Sequence, residues 1–221
     1  MELRNRAFAS LLAYTGVRGA EVLDDPNDKR RDGIRWHDID LEMGTIAILG
    51  KSQADEEAPI PTQVRDPLAR LRQALRPLSN GWPVFPTLHR PTLSRVARTG
   101  LAGAGYDQQA IDAAIAEHDW VALYREHELM PPTLTTGGGR KVMRRICEAA
   151  GISLDDEHDY LTPHGGRRGA GDVLYREDPV LAQTALRHRS IETTKESYSY
   201  IEAGETASRA GDTFDADSDS R

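Results

Sequence analysis

The sequence predicts a mainly α-helical fold carrying one small three-stranded antiparallel β-sheet, an α+β arrangement. Three observations predict it. Apolar residues recur at helical spacing in most of the chain. Only the stretch from Gly33 to Pro61 breaks into short alternating segments. Turn residues, Met43-Gly44 and Gly50-Lys51 among them, divide that stretch into strand-sized pieces.

Taken in order, residues 2–14 form an amphipathic helix with Leu3, Ala7, Phe8, Leu11 and Leu12 on one side and Gly16 as its stop. A short helix through Glu21 and Leu23 follows Arg18. Residues 24–32 are Asp, Pro, Asn, Lys and Arg, a loop composition. The strands are expected over Gly33–Asp40, over Thr45–Leu49 and at Ala58-Pro-Ile-Pro61. Pro59 and Pro61 place the last at an edge, because proline has no N–H to give a ladder. Helical spacing then returns at 62–76, 92–101, 107–117, 138–150, 163–176, 178–187 and 190–200. Thr162 and Pro163 suit the N-cap and first helical turn, so His164 and Arg167 should open a helix. The acidic stretch Asp155–Asp159 reads as a solvated loop. Residues 203–221, nearly without apolar side chains, read as a disordered acidic tail. The domain is therefore expected to span residues 1–202.

The chain has 221 residues, and its apolar runs are far shorter than the roughly 20 residues that span a bilayer. The N-terminus lacks the apolar core of a signal peptide, so a cytoplasmic protein without membrane contact is expected. The single cysteine, Cys147, sits in a helical pattern and reads as a small buried side chain. The net charge is −7, of which −4 lies in residues 201–221. Only 4 of the 28 basic residues are lysines. An acidic, arginine-rich, lysine-poor composition resembles that of proteins from salt-loving archaea. In molar salt the electrostatic share of nucleic-acid affinity shrinks, and specific hydrogen bonds carry more of the binding.

One set of polar residues gains meaning only together. Arg18 lies in Thr-Gly-Val-Arg-Gly-Ala-Glu, Lys51 in a hairpin-like Gly-Lys, and His164 and Arg167 in His-x-x-Arg. His188 is followed by Ser-Ile-Glu-Thr-Thr and then Tyr198. Singly, each fits an ordinary role: a surface arginine, a solvated lysine, a capped helix start, a half-buried ring. Jointly they are the groups that break a phosphodiester without a metal. Arginine forks hold the non-bridging oxygens as charge develops. An acid protonates the departing alkoxide, and a nucleophile attacks in line. Arg18 and Arg167 suit the clamp, His188 a third donor, Lys51 the acid, and His164 proton transfer, since its ordinary pKa lies near neutrality. Tyr198 suits the nucleophile. Glu21, one turn beyond Arg18, could orient a nearby cation.

The same residues carry a family resemblance over about residues 1–202. Thr15-Gly-Val-Arg-Gly-Ala-Glu-Val-Leu23 resembles the first arginine motif of the tyrosine recombinases, the phage-integrase type. Trp36-His-Asp-Ile-Asp40 followed by Gly50-Lys51 resembles the sheet bearing that family's lysine. Trp82-Pro-Val-Phe-Pro86, Leu161-Thr-Pro-His-Gly-Gly-Arg167 and Leu186-Arg-His-Arg-Ser-Ile-Glu-Thr-Thr194 are similar to three further family segments. The resemblance implies a tyrosine recombinase catalytic domain acting on double-stranded DNA through a 3′-phosphotyrosyl link, assembled as a tetramer, with no metal or cofactor. It also implies an N-terminal DNA-binding domain, which is expected to be absent here because Met1 stands at the start of the catalytic part.

Departures are visible. Gly165-Gly166 stand where the family usually has Asp-Leu, and Arg187 where it usually has glycine. The family tyrosine follows the histidine by nine positions, which is Ser197 here. Tyr198 lies one further on, and Tyr200 is the alternative nucleophile. A nicking and relaxing enzyme using the same groups, a catalytically inactive or truncated DNA-binding remnant, and a helical interaction protein are the competing readings. All but the last predict convergence of Arg18, Lys51, His164, Arg167 and His188 on one face.

Overall fold

The computed structural model describes residues 2–116, 119–154 and 159–218. Helix α1 (Glu2–Thr15) is the central beam. Its Phe8, Leu11 and Leu12 are fully enclosed, with α3 (Thr62–Leu75) on one flank and α8 (Pro163–Glu177) on the other. Phe8 meets Phe85 edge to face, ring centres 5.3 Å apart, a geometry that aromatic quadrupoles favour. Gly16 ends α1 with φ +66°, and a side chain there would run into Leu186. The chain turns through Arg18 into the four-residue α2 (Gly19–Val22).

The sheet is antiparallel in the order β1 (Ile39–Asp40), β2 (Thr45–Leu49), β3 (Asp55–Pro59). Ile46 faces Ala58 and Ile48 faces Glu56 in the β2–β3 register. Ile46, Ile48 and Ala58 are buried while Ala47 and Glu57 point away, the alternation of a half-buried strand. Strand β3 is an edge, paired on one side only, and Pro59 is its last residue. The expected first strand is shorter than its sequence suggests. The Asp38 carboxylate accepts the Arg35 N–H at 2.7 Å and tightens Trp36–Asp38 into a 3₁₀ turn, leaving two residues for β1. Gly33–Arg35 remains extended but bonds outside the sheet, to Val22 and Val84. The third strand begins three residues earlier than expected, because the polar Asp55-Glu56-Glu57 pairs with Ala47–Leu49.

Helices α4 (Arg90–Gly103), α5 (Gln108–Ala116), α7 (Thr136–Ala149) and α9 (Pro179–Leu186) lie where the periodicity predicts them. Between α5 and α7 the structure adds α6 (Trp120–Glu126), which the pattern did not reveal. Trp-Val-Ala-Leu-Tyr has no clean period, but Asp119 caps it and the Tyr124 hydroxyl donates to the Leu93 carbonyl at 2.8 Å. Helix α10 spans Ile191–Ser218 and so continues as helix through most of the stretch whose composition predicts a loose tail. Its ladder extends there without burial at Ala203, Gly204 or Thr206–Ser208, supported by Ala and Glu. The acidic loop at 155–158 and the end of the tail at 219–221 lie outside the described residues. Among the described residues no helix is long and apolar enough to cross a membrane.

Candidate active site and family

The site forms where three chain turns meet: the corner after α1, the start of α8, and the corner after α9. Thr162 caps α8, its hydroxyl accepting the Gly165 N–H at 3.1 Å, with Pro163 in the first turn. Gly166 allows α8 to lie against α1: a Cβ there would stand 2.9 Å from the Leu12 carbonyl oxygen. That contact is the physical reason for glycine in this helix despite its low propensity. One turn of α8 therefore carries His164 at the surface and Arg167 inward.

Arg167 is buried, and its guanidinium donates to two main-chain carbonyls, those of Gly16 and of Leu186, the latter at 2.5 Å. Burial, then the Arg18 and Arg187 charges, brings its pKa down to about 10, with Glu21 and Tyr198 opposing. It still carries its charge at neutral pH. Arg18 precedes α2 and donates through Nη1 to Glu21 Oε1 at 2.7 Å, while its N–H donates to Glu21 Oε2 at 2.7 Å. The Glu21 side chain is 1% exposed and that of Arg18 32%, so the carboxylate is sealed and the guanidinium is open to a ligand.

His188 follows α9, and its Nδ1 lies 2.9 Å from the Thr194 hydroxyl on α10. Nε2 has no hydrogen-bond partner among the described residues. The pKa values of both histidines lie below their ordinary value. For His188 the causes are burial, then Arg167, Arg18 and Arg187; for His164 they are burial, then Arg167, Arg168 and Arg18. Arg18, His164, Arg167 and His188 thus share one electrostatic neighbourhood. Four groups that are cationic or can become so, held together, make a site for an anion.

The remaining expected residues are placed differently. Lys51 stands exposed on the β2–β3 turn, without a hydrogen bond or ion pair among the described residues, and its charge is not among those felt by His164, Arg167 and His188, so the expected convergence does not include it. That hairpin is tied down by Arg31, which donates to the Leu49 and Gly50 carbonyls and to Ala20 of α2. Tyr198 is 4% exposed and stacks on Tyr175 at 5.4 Å. Its hydroxyl occupies space that a side chain at Gly171 would need. Burial raises its pKa, and the Arg167 and Arg168 charges pull it down. Tyr200 is 52% exposed and donates to Asp172 at 2.7 Å. Thr194 and Tyr198, four residues apart, share the inward face of α10, while Ser197 faces solvent. The one-residue shift seen in the sequence therefore turns Tyr198 toward the body, on the face that holds His188.

Two residues escaped the sequence reading. The Arg187 side chain is 7% exposed and donates to Glu21 Oε2 at 2.7 Å and to Glu56 Oε2 at 3.0 Å. Arg187 announces itself as a departure from the family's glycine. Glu56, in an acidic strand, gives no sign. Elsewhere, a groove of about 710 Å³ is lined by Arg4, His89, Arg90, Lys141, Arg144 and Arg145, and no lining residue is acidic. The net negative charge of the chain is therefore not spread evenly.

The family model described as the phage integrase family matches residues 1–204. The tyrosine recombinase XerC of Pediococcus pentosaceus is 24% identical over 196 residues, 88% of this chain and 49% of that protein. The chain thus spans about half the length of the curated relative that it matches. Among solved structures, the XerA recombinase superimposes with a TM-score of 0.59 at 18% identity, covering 94% of this chain and 59% of the other. The XerH site-specific recombinase bound to difH substrate gives 0.52 at 20%, covering 93% and 46%. The Tn1549 transposon integrase in complex with transposon right end DNA gives 0.53 at 15%, covering 92% and 59%. These likenesses show the same fold, and the family match over nearly the whole length shows that the chain belongs to the phage integrase family of tyrosine recombinases.

Proposed function

We propose that this chain is the catalytic part of a site-specific DNA recombinase, cutting and rejoining double-stranded DNA through a 3′-phosphotyrosyl intermediate with Tyr198 as nucleophile. The observation that carries the reading is the convergence of Arg18, Arg167 and His188 beside the α10 face bearing Thr194 and Tyr198. Arg18, the more exposed arginine, meets the phosphate and Arg167 backs it, so that charge on the non-bridging oxygens is matched as it grows. His188 donates through Nε2, and His164 assists proton movement at the rim. The Tyr198 oxygen bonds to phosphorus as the bond to the 5′ oxygen breaks, and Lys51 gives that oxygen its proton. The tyrosyl proton leaves to water. The reverse step needs no energy source, because the phosphotyrosyl link keeps the bond energy. For attack the Tyr198 hydroxyl has to leave its niche at Gly171 by a movement of α10.

The partner is duplex DNA. Supporting this are the acid-free groove lined by six basic side chains and the DNA held by the XerH and Tn1549 relatives. We place the protein in the cytoplasm, acting as a tetramer on two DNA sites, in a salt-rich cell where hydrogen bonds outweigh bulk charge.

The test is a covalent adduct. The protein is incubated with supercoiled DNA in high salt and denatured, and its peptides are searched by mass spectrometry for a nucleotide-modified tyrosine. Modification at Tyr198, lost in Tyr198→Phe, is the expected result. Modification at Tyr200 keeps the reaction and overturns the nucleophile. DNA binding without any adduct moves the reading to an inactive, DNA-binding remnant.

A further inference from the structure

Arg187 holds an expensive position. It ends α9 with φ +56° and ψ +43°, a left-handed conformation that glycine adopts freely and arginine does not. Its side chain is nearly sealed from water among cations, since Arg167 and His188 both feel its charge. Both costs are offset by one arrangement. The planar fork reaches two carboxylates on different elements, Glu21 of α2 and Glu56 of β3. Glu21 is the residue that fixes Arg18. Glu56 folds across Gly50: an ideal Cβ at Gly50 would lie 2.1 Å from Glu56 Oε1. Gly50 is the residue before Lys51 and donates its N–H to Ala54 to close the turn at 2.8 Å. A continuous line of contacts therefore runs from Arg18 through Glu21, Arg187 and Glu56 to the root of the Lys51 turn.

We infer that Arg187 is a positioning residue, which sets the Lys51 hairpin against the Arg18 corner by bridging Glu56 and Glu21, so that acid and clamp address the same phosphate. The inference rests on the function proposed above. A lysine could neutralise one carboxylate but not span both, since it lacks the fork.

The test uses leaving-group chemistry. A duplex bearing the cleavage site mapped from the adduct is made twice, once with the ordinary phosphodiester and once with sulfur in place of the bridging 5′ oxygen. A thiolate departs without a proton donor, so a defect in acid delivery vanishes on the sulfur duplex. Arg187→Gly suits the backbone, and Glu56→Gln removes only the hairpin arm. Each is expected to slow single-turnover cleavage of the oxygen duplex by roughly 10- to 100-fold, the scale of a misplacement of about 1 Å. On the sulfur duplex the deficit should fall below about threefold, as for Lys51→Ala, and Arg187→Lys should recover only part of the loss on oxygen. Equal deficits on both duplexes, or none on either, would overturn the inference. Hydrogen exchange of the DNA-free protein decides independently of catalysis. Amides of residues 50–58 should exchange roughly tenfold faster in Arg187→Gly and in Glu56→Gln, with those of α1 unchanged. Unchanged exchange in the hairpin would equally overturn it. If the wild-type protein cleaves neither duplex, the proposed function falls, and the exchange result alone decides the role of Arg187.

Discussion

Replacing Glu21 by glutamine should destabilise the protein by about 3 kcal/mol, a value that follows from its contacts. The Glu21 carboxylate accepts three donors at 2.7 Å: the Arg18 N–H, Arg18 Nη1 and Arg187 Nη2. Glutamine keeps one acceptor oxygen. If that oxygen takes the Oε2 position, two donors stay served, but the new NH₂ group then faces Arg18 Nη1, donor against donor. Removing one member of a buried ionic pair costs about 3–5 kcal/mol, because the partner charge stays behind without compensation. Arg187 is sealed from water but keeps its bond to Glu56 Oε2, so its loss is partial. Arg18 is about a third exposed, so water screens its share and the lower end applies. A domain of this size holds about 5–15 kcal/mol in all, so the variant should fold. Its Tm should drop by about 6–12 °C, at about 2–4 °C per kcal/mol. Urea denaturation followed by circular dichroism measures the change directly. Glu56→Gln, with its partly exposed carboxylate and single bond to Arg187, serves as the control and should cost about 1 kcal/mol. Adding Arg187→Gly to Glu21→Gln should return at least about 1 kcal/mol, since the buried cation that kept only the Glu56 carboxylate is gone. A loss under about 1 kcal/mol for Glu21→Gln, or strict additivity in the double variant, would refute the view of Glu21 as the buried hub of the site.

Two further outcomes follow from contacts already described. Gly166→Ala should destabilise by about 1–2 kcal/mol, because its Cβ would press on the Leu12 main chain and outweigh the gain in helix propensity. Gly169→Ala, with nothing within 4 Å, should instead stabilise by up to about 1 kcal/mol; urea midpoints showing the same sign for both would contradict this packing. Stability should also fall on mild acidification. His164 and His188 titrate lower in the folded protein than the ordinary value near 6.5, so between those values the unfolded chain binds more protons. The loss therefore begins as pH drops below about 6.5 and is complete once the folded histidines protonate. Its slope is at most about 1.4 kcal/mol per pH unit for each, and less for the exposed His164. His188→Gln should flatten the profile as pH falls below about 6.5, and an unchanged slope would remove His188 from the cationic cluster.

How far the sequence reaches depends on whether a feature is local. The boundaries of β2 and α1 and the opening of α8 at Thr162-Pro163 are written in short-range patterns, and they stand within a residue or so of expectation. The shortening of β1 is also local, but it depends on one side-chain hydrogen bond from Asp38 that outcompetes the ladder. Helix α6 has too few turns to show a period, and it is held by the burial of Leu123 and Tyr124 in the core and by the Tyr124 bond to Leu93 of α4. The tail shows the opposite limit: composition speaks about burial, and α10 continues there although Ala203, Gly204 and Thr206–Ser208 are exposed. At the site, the family's spacing pointed to Arg18, His164, Arg167 and His188, which the fold gathers into one electrostatic neighbourhood. The inward turn of Tyr198 could be read only after the helical face of α10 was known. The bridge of Arg187 to Glu21 and Glu56 joins positions up to 166 residues apart, and no window of sequence contains it.

The main-chain anchoring of Arg167 bears on how this site can drift over time. Its two acceptors are the carbonyls of residues 16 and 186, each at a chain corner: Gly16 is left-handed, and Arg187 is left-handed directly after Leu186. Carbonyl oxygens belong to every residue type, so the acceptors depend on the shape of the corners, which at residue 16 calls for glycine, and not on side-chain chemistry. The deepest cation of the site is thus exposed to insertions or deletions. One residue gained or lost between Thr15 and Arg18, or between Leu186 and His188, would move an acceptor away from the guanidinium. Divergent relatives of this chain should therefore hardly vary in the length of those corners.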